Sequence, residues 1–244
     1  MSAIGIDVPR VSQWLDTEVE GIEGPYDFDL ITGGRSNLTY RVVDSHGTAF
    51  VLRRPPTGNV LASAHDMERE HKIISAVGKT GVPVPQTMAV CSDADVNGAP
   101  FYVMSLVDGV VLDSPEAAAH LTIDQRREAG EHLIDVLADL HDVDVDDVGL
   151  GDLAKRSGYI ERQIKRWSGQ WEQSKTRELP VIDRVADYLR DNLPTNAPTT
   201  IAHGDYRLSN CMMDPAGPVA GVLDWELCTL GDPMADLAGL LGYW

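Results

Sequence analysis

A chain of 244 residues with 43% hydrophobic and 24% charged residues can bury a sizeable core, in one large domain or two small ones. Its formal net charge of -18 repels nucleic-acid phosphates and anionic membrane surfaces, so neither is expected as a partner. The three cysteines are far apart, residues 1–10 do not read as a signal peptide, and no apolar run is long enough to cross a bilayer. These features exclude a disulfide framework and a zinc site and point to a cytoplasmic protein.

Residues 27–106 are mostly strand-like. The runs 38–43 and 48–53 flank Asp44-Ser45-His46-Gly47, a hairpin signature, and the runs 86–91 and 100–106 flank Asn97-Gly98. Between these pairs, residues 62–77 predict a helix with Ser63 as N-cap, followed by an extended connection at Pro83-Val84-Pro85. After Gly109 the texture turns helical. Residues 123–140 place Leu133, Val136, Leu137 and Leu140 on one face behind Thr122 as cap, and helices follow at 159–171 and 181–193. Short strands are expected at 199–202, 211–213 and 219–223, the last two joined by the turn Asp214-Pro215-Ala216-Gly217. An apolar helix then starts at Leu237.

This order predicts an α+β chain of two lobes, 1–106 and 107–244, joined near residues 104–109. The first is an antiparallel sheet with one intercalated helix; the second is mainly helical. The second lobe is expected to be incomplete at its C-terminus, with the apolar stub that ends at Trp244 available for self-association.

The strongest chemical signal is Ala202-His203-Gly204-Asp205-Tyr206-Arg207-Leu208-Ser209-Asn210, followed by Val222-Leu223-Asp224-Trp225-Glu226. Phosphoryl transfer from ATP needs a carboxylate to orient the acceptor hydroxyl, oxygen ligands for Mg²⁺ and cations on the phosphates. The spacing lets one loop present Asp205 to an acceptor and Asn210 to a metal, while Asp224, on the other arm of the predicted hairpin, supplies the main metal carboxylate. His203 is expected to hold the loop by hydrogen bonds.

The segment His203-Gly204-Asp205…Asn210 with Asp224-Trp225-Glu226 resembles the H-G-D-x-x-x-x-N and D-W/F-E motifs of the aminoglycoside phosphotransferase and choline kinase superfamily, relatives of the protein kinases. Gly231-Asp232-Pro233-Met234-Ala235-Asp236-Leu237 is similar to the segment that follows in that family, which implies that Asp236 braces the catalytic loop. The resemblance implies a protein-kinase-like fold, ATP or GTP as donor, Mg²⁺ and a small-molecule hydroxyl acceptor. It also implies a phosphate loop at Gly33, Gly34, Ser36 and Asn37, and Arg53 in the place of the usual phosphate lysine. Glu70 becomes the expected partner of Arg53, with Glu68 as an alternative because the helix register is open. Residues 104–107 become the adenine hinge, represented by Met104 and Leu106.

Val51-Leu52-Arg53-Arg54-Pro55-Pro56 and His65-Asp66-Met67-Glu68-Arg69-Glu70 look most like the kinase-like proteins associated with acyl-CoA dehydrogenases. That likeness implies a hydroxyacyl-CoA or related metabolite as acceptor, with an aminoglycoside-like compound as the family's other substrate type. A nucleotide-binding pseudokinase is the rival reading, and an acyl-CoA dehydrogenase label would come by association.

Overall fold

The computed structural model describes residues 3–31, 37–58, 65–194 and 198–243. The chain divides by packing into two compact units, Met1–Asp139 with Arg207–Glu226, and Leu140–Tyr206 with Leu227–Trp244. Residues 107–139 and the late segment Arg207–Glu226, expected with the second lobe, group here with residues 1–106. Met213 and Val110 exchange backbone hydrogen bonds, and the Val222 N–H donates to the Pro83 carbonyl at 2.8 Å.

The first unit opens with helix α1 (Val8–Glu18), capped by the Asp7 carboxylate on the Arg10 N–H. The sheet follows as β1 (Asp27–Leu30), β2 (Leu38–Val43), β3 (Ala49–Arg54), β4 (Thr87–Cys91) and β5 (Phe101–Ser105), antiparallel throughout in the order β1-β2-β3-β5-β4. Both expected hairpins form. In the first, Asp44 accepts from the His46 and Thr48 N–H groups. In the second, the loop folds into a single turn, α3 (Ala94–Asn97).

Alternation along the strands decides which residues meet which helix. Phe50, Leu52, Phe101 and Val103 join Val11 and Leu15 of α1 in one core cluster. Val51, Arg53, Tyr102 and Met104 point to the opposite face. There lies α2 (Met67–Val77), the intercalated helix, which buries Met67, Glu70, Ile73, Ile74 and Val77. It begins at Met67, where the Asp66 carboxylate supplies the cap by accepting from the Arg69 N–H; the expected start at 62 and the expected cap Ser63 lie outside the described residues.

Helix α4 (Ile123–Asp142) starts with the expected cap. Thr122 Oγ1 accepts from the Gln125 N–H, and Gln125 Oε1 accepts from the Thr122 N–H, a reciprocal capping box. Late in the chain, β7 (Cys211–Met213) and β8 (Val219–Val222) form the expected hairpin around Asp214-Pro215-Ala216-Gly217.

The second unit holds α5 (Tyr159–Ser174), α6 (Pro180–Asp191) and α7 (Met234–Tyr243). Strand β6 (Thr200–Ala202) pairs antiparallel with β9 (Thr229–Gly231), a three-residue strand that the sequence reading did not anticipate. Helix α7 starts three residues before the expected Leu237, immediately after Pro233. Among the described residues no helix is long and apolar enough to cross a membrane.

Candidate active site

In the first unit the site is built on the back of strand alternation. Arg53 and Tyr102 are register partners on β3 and β5, so both side chains face α2. Glu70 sits one turn into that helix with 2% exposure, while Glu68 is exposed, which resolves the register in favour of Glu70. Arg53 Nε lies 3.3 Å from Glu70 Oε1, a charge contact rather than an aligned hydrogen bond, since Arg53 Nε and both Glu70 oxygens lack hydrogen-bond partners. Arg54, next along the strand, points to the other face and donates to the carbonyls of Gly5, Pro55 and Asn97.

The electrostatics follow from this burial. Desolvation pushes the Glu70 carboxyl up to about 7, with Arg53 pulling it back down and the charges of Asp224 and Glu226 pushing it further up. Burial, then the Glu70 charge, raises the Tyr102 phenol well above its usual range. Burial disfavours the Arg53 cation, but the carboxylates around it more than compensate and hold it charged.

The β7–β8 hairpin delivers the remaining members. Asn210 ends a 3-10 turn (Leu208–Asn210), and its carbonyl accepts from the Leu223 N–H at 2.8 Å, so the ladder extends just far enough to set Asn210 and Asp224 at its open end. Asp224 has φ 65°; among the described residues it alone, outside glycine, occupies the left-handed region. Buried Trp225, whose Nε1–H donates to the Val222 carbonyl at 3.0 Å, anchors the chain beyond it.

Arg53 Nη2 donates to Asp224 Oδ1 at 2.5 Å and lies 3.7 Å from Glu226 Oε2. Asn37 Nδ2 in turn donates to Glu226 Oε2 at 3.0 Å. Glu226, to which the motif gives no role, joins Arg53 to Asn37; its place two residues after Asp224 is the available signal. Of the other phosphate-loop candidates, Gly33, Gly34 and Ser36 lie outside the described residues. Met104 is buried on β5 opposite Val51, and Leu106 follows half-buried.

In the second unit β6 runs into His203, which is fully buried with its ring edge-on to Tyr206. The His203 ring Nδ1 accepts from the Asp205 N–H at 3.3 Å. Asp236, on the first turn of α7, accepts from the backbone N–H groups of His203 (Oδ2) and Gly204 (Oδ1), each at 2.7 Å, and His141 Nε2 lies 3.1 Å from the same Oδ2. Gly204 has φ +85°, and a Cβ there would meet the Leu227 carbonyl oxygen at 2.8 Å, so only glycine fits this bend. Replacing Asp236 with alanine strands the buried His203 N–H and removes the partner of the part-buried Gly204 N–H, and is expected to cost about 2 kcal/mol, read by urea unfolding. Equal stability of the two proteins would contradict the bracing role.

The donor set suits a hard divalent cation. Three carboxylates, Glu70, Asp224 and Glu226, converge on one arginine, leaving negative charge in excess, and Asn210 adds an amide oxygen type beside Asp224 in the hairpin. Among the described residues no group of three or more His, Cys, Asp or Glu side chains is placed to hold a metal ion by itself. Protein Mg²⁺ sites commonly draw their remaining ligands from waters and phosphate oxygens.

Glu70 also carries a pH signature. Its carboxyl titrates higher in the folded protein, so its contribution to stability is complete below about 4.5 and lost as pH rises through about 7. Glu70→Gln is expected to flatten that fall. Matching stability profiles for wild type and variant across this window would contradict it.

The family model for the phosphotransferase enzyme family (APH) matches residues 27–244. The chain belongs to this family. Acyl-CoA dehydrogenase family member 10 of Mus musculus is 38% identical over 218 residues, covering 88% of this chain and 20% of that protein. The family member 11 protein of Rattus norvegicus is 35% identical over 240 residues, covering 96% of this chain and 31% of its own length. The chain thus spans at most about a third of either curated relative.

Among solved structures, one from Ralstonia eutropha JMP134, named provisionally as an aminoglycoside phosphotransferase, has a TM-score of 0.82. It is 37% identical, covering 95% of this chain and 68% of that one. The GDP and kanamycin complex of APH(2″)-IIIa has a TM-score of 0.65 at 20% identity, covering 95% and 77%. The α+β fold with an N-terminal antiparallel sheet is therefore the kinase-like fold of the APH family. The likeness to kinase-like proteins that carry acyl-CoA dehydrogenase names also holds.

Proposed function

We propose that this APH-family protein transfers the γ-phosphate of ATP or GTP to a hydroxyl group of a small molecule. The observation that carries the reading is the convergence of Glu70, Asp224 and Glu226 on Arg53, with Asn37 tied to Glu226. A cation flanked by carboxylates on rigid elements is what a metal-bound polyphosphate requires.

Lobe 1–106 would carry the nucleotide, its base against Met104 and Leu106 and its phosphates under the loop Gly33-Gly34-Arg35-Ser36-Asn37 and beside Arg53. Asn210 and Asp224 would hold Mg²⁺, which when bound neutralises charge on the β- and γ-phosphates. Within 107–244, Asp205 orients the acceptor hydroxyl and takes its proton late in the transfer. His203 and Asp236 keep that loop in position through the backbone bonds already described.

The family names of the relatives suggest the acceptor. A hydroxyacyl-CoA would suit proteins named for acyl-CoA chemistry, and an aminoglycoside would suit the solved structures' names. The test is transfer of γ-labelled phosphate across hydroxyacyl-CoAs, free hydroxy acids, aminoglycosides and macrolides. Mg²⁺-dependent labelling of a member of the panel is expected. Nucleotide binding without labelling of any hydroxyl would favour a pseudokinase instead.

A further inference from the structure

Arg53 is placed as more than a phosphate ligand. Its Nη2 donates to Asp224 Oδ1 at 2.5 Å and stands 3.7 Å from Glu226 Oε2, so one guanidinium nitrogen occupies the space that faces both carboxylates. The side chain is 12% exposed and is held from behind by Glu70, 3.3 Å from Nε. Lysine in this place would put one compact charge on one partner. Arginine reaches Glu70 through Nε and Asp224 through Nη2, two nitrogens of one planar group.

We propose that Arg53 is a built-in counter-cation which closes the Asp224–Glu226 pair to divalent metal until a nucleotide polyphosphate draws it away. The inference rests on the phosphotransferase reading above. While Arg53 pairs with Asp224, a divalent ion approaching the same oxygens meets a fixed positive charge and finds its main ligand engaged. A polyphosphate offers the guanidinium a bidentate partner of higher charge. Once Arg53 turns to the phosphates, still held by Glu70, the Asp224 oxygens are released to hold the metal with Asn210, and the nearby Glu226 charge adds to its attraction. Metal and nucleotide then bind together, and nucleotide-free protein is spared from holding the ion alone.

The test measures free Mn²⁺ by electron paramagnetic resonance, with Mn²⁺ as the probe for Mg²⁺, in protein with and without a non-hydrolysable ATP analogue. Wild type is expected to bind Mn²⁺ weakly alone and strongly with the analogue. Arg53→Gln is expected to bind Mn²⁺ without nucleotide at least about tenfold more tightly than wild type, since the competing charge is gone. Arg53→Lys keeps a cation in the core and carries the test should the glutamine variant fail to fold; it is expected to fall between the two.

The double variant Arg53→Gln with Asp224→Ala is expected to lose the gain. If wild type binds the Mn²⁺–analogue complex but neither variant gains affinity for Mn²⁺ alone, the counter-cation role is wrong while the phosphotransferase reading stands. A gain that survives removal of Asp224 places the ion elsewhere and also overturns it. If wild type binds no Mn²⁺–analogue complex, both readings fall.

Discussion

Asp224→Ala is expected to lower phosphoryl transfer by more than about 10³-fold and to remove Mg²⁺-dependent nucleotide binding with it. The carboxylate stands at the open end of the β7–β8 hairpin and reaches Arg53 at 2.5 Å, against 3.7 Å for Glu226. Removing it deletes the proposed metal ligand and takes from the guanidinium its hydrogen-bonded carboxylate. Because Asp224 has φ 65°, alanine also brings backbone strain, so Asp224→Asn is the better control. Asparagine tolerates the left-handed region and keeps the side-chain size. Both variants should lose the metal-dependent part of nucleotide binding, measured by titration calorimetry with and without Mg²⁺. Retention of that part in both would remove Asp224 from the metal site.

Asp205→Asn should behave differently. The side chain is proposed to act on the acceptor hydroxyl, and a positioned general base contributes roughly 10²–10⁴-fold. Turnover is expected to fall by about that range while the nucleotide dissociation constant stays within a factor of about three of wild type. The loop should keep its shape, because its geometry is set by backbone bonds from His203 and Gly204 to Asp236 and by the His203 ring on the Asp205 N–H. Loss of nucleotide affinity equal to that of the Asp224 variants would erase the proposed division of labour.

Much of this arrangement was legible in the sequence, for identifiable reasons. The hairpins at 44–47 and 214–217 announce themselves through turn residues that only those bends favour. The pairing of Arg53 with Glu70 rather than Glu68 was open, because it depends on where α2 begins. That start is set by the Asp66 carboxylate bonding the Arg69 N–H, and Ser63 looked equally suitable on residue type.

Helix α1 went unread although Asp7, Pro9, Val11 and Leu15 form a cap, an early proline and an apolar stripe. The stripe is sparse, with only Val11 and Leu15 buried in eleven residues, so its periodicity is weak. Strand β9 could not be read at all, since Thr229-Leu230-Gly231 is too short for periodicity and exists because β6 lies alongside. The clustering of Glu226, Arg53 and Asn37 likewise depends on pairing between residues up to 189 positions apart, which no local pattern encodes.

The most direct measurement is the thermal stability of the wild-type protein with MgATP, MgGTP, Mg²⁺ alone and FAD. A ligand that binds only the folded state at a hundredfold excess over its dissociation constant adds about 2.7 kcal/mol of stability. A rise in melting temperature with a magnesium–nucleotide complex, small with Mg²⁺ alone and absent with FAD, is the result this account predicts. No rise with either nucleotide, or a rise with FAD alone, would contradict it.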